Sequence, residues 1–181
     1  MREGWVGVQG ERVSFERERG VSAITVSPEV AYLVVRVPQP ERITEQRQHV
    51  LNLLREAEIP IFLIKLQRYG ISFGVNSEHA ALAQHTLEAQ GFQVTVKPRR
   101  VMVSVYAQNM RELHGVVAKI AEVLYEAGVA IEQLSDAHDR ITCLIQAEQA
   151  PLVVERLRAA FQLPTPTENA LSAVAGNRHL P

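Results

Sequence analysis

The sequence predicts an α+β fold made of two copies of a βαββαβ unit, each an antiparallel sheet with its helices on one face. Three observations carry this. The chain repeats its apolar pattern at an offset of 70 residues, so that residues 33–61 lie on residues 103–131 without a gap: Val35 falls on Val105, Leu54 on Leu124, and Glu56-Ala57 on Glu126-Ala127. Within each copy, short β-branched runs alternate with longer segments at helical spacing. Glycine and proline stand where one kind of segment gives way to the other.

Residues 1–20 are charged and Gly-punctuated, with a possible short strand around Trp5–Val8. Val21–Val26 and Tyr32–Val37 have strand composition and are separated by the turn signal Ser27-Pro28-Glu29. Ile43, Val50, Leu51, Leu54 and Ala57 then recur at helical spacing in a segment opened by Pro40 and closed before Pro60. Pro60–Leu66 and Gly70–Val75 form a strand pair, Ser77 caps a second helix that Gly91 ends, and Phe92–Val96 is a further strand. The second copy follows the same course: a strand at Val101–Ala107, a helix at Leu113–Ala127 ended by Gly128, strands at Val129–Leu134 and Ile141–Gln146, and a helix at Ala147–Phe161. The tail from Pro164, rich in Thr, Pro and Asn, is expected to be disordered.

Composition narrows the function. A chain of 181 residues with 46% hydrophobic content can bury a real core, and its net charge of −1 gives no reason to expect nucleic acid. The one basic run, Lys97-Pro98-Arg99-Arg100, reads as a solvated linker between the copies. The single cysteine, Cys143, sits in the apolar run 141–145 and reads as a small core residue, since no second cysteine exists to pair with it or to build a metal cluster. His49, His79, His85, His138 and His179 lack metal-ligand spacing, so no metal or cofactor is expected. No stretch is long and apolar enough to cross a membrane, and the acidic N-terminus lacks a signal-peptide core, which makes a soluble cytoplasmic protein the default expectation. A sheet with helices on one face leaves its other face to be covered, within the chain or by another copy, and a homodimer is the expectation.

Chemistry concentrates at Val105–Ala118. There a strand passes through the polar loop Gln108-Asn109-Met110-Arg111-Glu112 into a helix whose first turn contains Gly115. Such a junction presents free backbone N–H groups to a ligand carboxylate, and a glycine lets the ligand come close. The bland alternative is that Gly115 only packs against a neighbouring strand. The N–H groups of Gly115 and Val116 would receive the carboxylate, while Asn109 and Ser135 offer acceptors for an ammonium group. His114, of a residue type that titrates near neutrality, stands beside them.

At this loop the chain resembles a known family. Met110-Arg111 with Gly115-Val116, then Ala118-Lys119-Ile120, Leu124, Glu126-Ala127-Gly128-Val129, Ser135 and Arg140–Ile145 are similar to the second ACT domain of aspartate kinases, and Glu155–Arg158 with Ala160-Phe161 to its closing helix. Gly20–Thr25 and Tyr32–Val37 resemble the entry into the tandem regulatory half of the same enzymes. The resemblance covers residues 20–163, strongly in the second copy and weakly in the first.

It implies two ferredoxin-like ACT domains, at residues 30–98 and 99–163, with an extension at 1–20, a tail at 164–181, and the strand within 21–29 completing the second domain. It implies a non-catalytic module that senses lysine or threonine for an enzyme of amino-acid biosynthesis, since the nucleotide loop and catalytic lysine of the kinase have no counterpart here. By the same resemblance, the first domain departs where its site would lie. Pro38–Glu45 replaces the family's Asp-x-Pro-Gly-like turn, with Glu45 at the glycine position, and the effector-contacting glutamine falls at Leu66 or, with a slip of one residue, at Gln67. Two rivals follow: a ligand-free ACT scaffold that binds a partner enzyme, and an acylphosphatase-like enzyme suggested by Gly7–Phe15, in which Arg12 would hold the phosphate.

Overall fold

The computed structural model describes residues 20–107 and 114–164. In chain order these form β1 (Val21–Val26), β2 (Val30–Arg36), α1 (Ile43–Glu56), β3 (Phe62–Gln67), β4 (Gly70–Asn76), α2 (Ala80–Glu88), β5 (Gln93–Ala107), α3 (Val116–Glu126), β6 (Gln133–Asp136), β7 (Arg140–Gln146) and α4 (Ala150–Ala160). All pairings are antiparallel, in the order β3-β4-β2-β5-β7-β6. The strand suggested at Trp5–Val8, the loop 108–113 and the tail beyond Pro164 lie outside the described residues.

β5 serves both copies. Its first half pairs with β2, Arg36 opposite Gln93 and Tyr32 opposite Lys97. Its second half pairs with β7 on one side, Val101 opposite Ile145, and with β1 on the other, Val26 opposite Val103. Side chains alternate across the sheet accordingly. Ala31, Leu33 and Val35 of β2 face α1 and α2 in one core, while Val101, Val103 and Val105 of β5 face α3 and α4 in a second. Each helix contributes its apolar stripe, Val50 and Leu54 from α1, and Ile120, Val123 and Leu124 from α3.

A third cluster lies on the opposite, helix-free face. Val30 and Tyr32 of β2 pack there with Leu144 of β7, and Val34, Phe62, Leu63 and Met102 lie against them. The two copies therefore cover part of each other's open face within one chain. A buried hydrogen-bond network accompanies this contact: Tyr32 Oη lies 2.7 Å from Ser72 Oγ and donates to Gln133 Oε1 across the copies, and the Gln67 amide donates to Ser72 Oγ at 2.9 Å.

Two local expectations are corrected. Lys97–Arg100 is not a solvated linker but the middle of β5, because an acidic partner arrives from the other copy: Lys97 Nζ and Arg100 Nε donate to Glu132 at 3.0 and 2.7 Å. Pro98 is tolerated there because the β2–β5 register shifts between Tyr32 opposite Lys97 and Val30 opposite Arg100, leaving a bulge that asks no ladder hydrogen bond of it. Ser77 does not cap its helix. Its hydroxyl donates to the Glu29 carbonyl at 2.9 Å, and a short 3-10 turn precedes α2 instead.

Burial works to raise the Glu132 pKa, but the hydrogen bonds from Arg100 and Lys97 outweigh it and hold the carboxylate below its ordinary value. A carboxylate depressed in the folded state contributes stability that is present above its unfolded pKa and lost as pH falls through the folded one. Acid titration of stability should thus show a loss below the ordinary glutamate range that Glu132→Gln largely removes, at a cost near neutrality of about 1–3 kcal/mol for the unpaired Arg100. Cys143 is buried, and desolvation pushes its thiol up to about 11. It is expected to resist a thiol reagent at pH 8 in the native protein and to react promptly in denaturant.

Candidate functional site

α3 begins at an N-terminus that no side chain among the described residues caps. Gly115 precedes it with φ +82°, the left-handed region that favours glycine, and its carbonyl accepts the first helical N–H, that of Lys119, at 2.9 Å. Among the described residues no side chain caps the helix, and its first-turn N–H groups have no helical partners. The helix dipole places partial positive charge at the same point. A Cβ built on Gly115 meets nothing within 4 Å among the described residues. Val116 packs against the second core, whereas His114 and Gly115 are exposed. The glycine thus stands just before the helix rather than inside its first turn.

The equivalent junction of the first copy is built differently. A 3-10 turn, Pro40–Arg42, leads directly into α1, which starts at Ile43 rather than at a counterpart of Val116. Glu45 falls in the first turn of α1 and accepts a hydrogen bond from Arg42 Nε at 2.8 Å. Proline brings no N–H, and the negative charge of Glu45 in the first turn disfavours a second anion, so this end is less suited to a ligand carboxylate.

A cleft of about 410 Å³ opens on the helix-free face of the second copy. Its floor is set by register: Thr25 of β1 opposes Ser104 of β5, Ser104 opposes Thr142 of β7, and Thr142 opposes Ser135 of β6. Four hydroxyl side chains from four adjacent strands therefore form one row, and Ser104 Oγ lies 2.9 Å from Thr142 Oγ1. Tyr106 and Arg140, opposite each other in the next row, line one end of the cleft, with the guanidinium 5.6 Å from the ring centroid. Phe62 and Leu63, from the first copy, form its roof.

The residues singled out in the sequence fall in three places. His114, Gly115 and Val116 are together at the start of α3, Ser135 lies in the hydroxyl row, and Gln67 belongs to the Tyr32–Ser72 network. None of His114, Gly115, Val116 or Gln67 lines the cleft. Asn109, Met110 and Arg111 lie outside the described residues. The sequence reading missed the rest of the row, although its signal was present: Ser104 and Tyr106 alternate with core-facing Val103, Val105 and Ala107.

Among the described residues, no group of three or more His, Cys, Asp or Glu side chains is placed to hold a metal ion, and no helix is long and apolar enough to cross a membrane. Residues 95–159 match the family model of the ACT domain. No curated protein sequence matches the chain. Among solved structures, the regulatory subunit of aspartate kinase from Thermus thermophilus, in its ligand-free form, is 23% identical, with a TM-score of 0.70 over 80% of this chain and 100% of that one. The corresponding subunit from Thermus flavus is 21% identical, with a TM-score of 0.68 over 79% and 99%. Clostridium acetobutylicum aspartate kinase is 11% identical, with a TM-score of 0.72, and the match spans 82% of this chain but only 37% of the enzyme. Residues 95–159 thus carry the ACT domain signature, and the chain as a whole has the fold of the regulatory subunits of aspartate kinase.

Proposed function

We propose that this protein is a non-catalytic regulatory module that binds a free amino acid at the start of α3 and transmits the event to an enzyme of amino-acid biosynthesis. The observation that carries the reading is the α3 N-terminus behind Gly115, which no side chain among the described residues caps, inside the segment that matches the ACT domain. A carboxylate there receives backbone N–H groups and the favourable end of the helix dipole. Lysine and threonine are the first ligands to test, by resemblance to the aspartate kinase regulatory region, and a homodimer is the expected assembly. The ligand acts by favouring one packing arrangement over another, in proportion to its difference in affinity for the two.

The test is a thermal-stability screen with all twenty amino acids. A ligand at a hundredfold excess over its Kd should stabilise by about 2.7 kcal/mol. Gly115→Asp should abolish the shift by repelling the carboxylate, while Gly115→Asn, of the same shape and also tolerant of the left-handed region, should keep most of it. No shift with any amino acid would overturn the sensor reading. It would favour a ligand-free scaffold that binds a partner enzyme, a reading that the Arg42–Glu45 pair at the first copy's junction already motivates.

A further inference from the structure

We infer that the cleft over the hydroxyl row is a second small-molecule site, separate from the start of α3, and that it takes a small organic carboxylate bearing hydroxyl or amino groups. Thr25, Ser104, Thr142 and Ser135 lie side by side through the strand register, and the last three are half-buried rather than solvent-facing. Each hydroxyl both donates and accepts, so the row can follow a polar ligand body without imposing a charge on it.

Arg140 supplies the positive charge, and Asp136, also in the lining, offers an acceptor for a ligand's amino or hydroxyl group. Arg140 lies at one end of the row with its guanidinium over the Tyr106 ring, and among the described residues its nearest carboxylate, Asp139, is 4.0 Å away and outside good hydrogen-bond range. Its side chain is 46% exposed, and Nη1 donates to Tyr106 Oη at 3.4 Å, a long contact that leaves other N–H groups of the fork for a ligand carboxylate. The roof is apolar: Phe62 lies across Gly74, where an added Cβ would come within 2.4 Å of the ring, and Leu63 follows it at φ +52° in the β3 bulge. The cavity of about 410 Å³ is ample for a molecule of amino-acid size. Because the floor belongs to the second copy and the roof to the first, an occupant touches both and holds their open faces together.

The experiment uses the full chain and a panel of malate, succinate, citrate and the twenty amino acids, followed by ligand-observed NMR and titration. Three variants are compared with the parent: Arg140→Gln, which removes the charge from an exposed position; Thr142→Val, which keeps the β-branched shape but removes the central hydroxyl; and Gly115→Asp. At least one panel member should bind, weaken at least about tenfold in both Arg140→Gln and Thr142→Val, and bind Gly115→Asp unchanged. The melting temperature of each ligand-free variant separates lost binding from lost folding. If nothing in the panel binds the parent, or if the binding of every panel member that binds survives both cleft substitutions, the proposal is overturned. Where every ligand that binds is lost in Gly115→Asp and kept in both cleft variants, the cleft site falls while the α3 reading stands.

Discussion

Replacing Gly70 with alanine should cost the fold about 3–5 kcal/mol, an effect in the range seen when a substitution forces backbone to move. Gly70 opens β4 directly opposite Arg36 of β2. A Cβ built there would lie 1.9 Å from the Val35 carbonyl oxygen and 3.0 Å from its carbon, so no side-chain rotation relieves the clash. The β2–β4 ladder would have to part at its end, and Arg47, which donates to the Gly70 carbonyl at 3.0 Å, would lose its anchor as well. Gly74→Ala is the contrast. Its added carbon meets only the Phe62 ring, which can turn aside, so the penalty should be smaller. Chemical denaturation of the two variants checks the difference, and a Gly70→Ala cost below about 1 kcal/mol would refute this account of the hairpin.

Leu144→Ala should cost about 2–5 kcal/mol, the range for truncating a fully buried leucine. Leu144 is 0% exposed although its neighbours Cys143 and Ile145 face the helices, which means that something covers it from the other side. That cover is Val30 and Tyr32 of the first copy. If the two copies did not meet face to face, Leu144 would be a surface residue, and its truncation would change stability by only about 0.5 kcal/mol. The measured value therefore reports on the inter-copy contact as well as on local packing.

Much of this architecture was legible because a repeated apolar pattern survives divergence. The offset that lays Val35 on Val105 and Leu54 on Leu124 fixes two copies and the helices on them, and the structure places both pairs in equivalent core positions of one continuous sheet that β5 joins. What the sequence could not supply were contacts between residues distant along the chain. Lys97–Arg100 reads as a solvated run until Glu132, from the loop before β6, is seen to neutralise it. Tyr32 and Leu144 alternate correctly for an open face, but alternation does not say what will lie upon it. The candidate site shows the same division. Gly115 is visible as a glycine in a strand-to-helix junction, and the contrast with Glu45 is visible through the repeat. The hydroxyl row is not, because Thr25, Ser104, Thr142 and Ser135 come together only through the register of four strands.

Isothermal titration calorimetry of the full chain with each of the twenty amino acids tests the central claim most directly. The account predicts saturable binding heat with at least one of them, lysine and threonine first, which Gly115→Asp removes and Gly115→Asn retains. Twenty flat titrations would contradict it, as would the finding that every amino acid that binds does so unchanged in Gly115→Asp; an amino acid held in the cleft instead is told apart by its loss in Arg140→Gln.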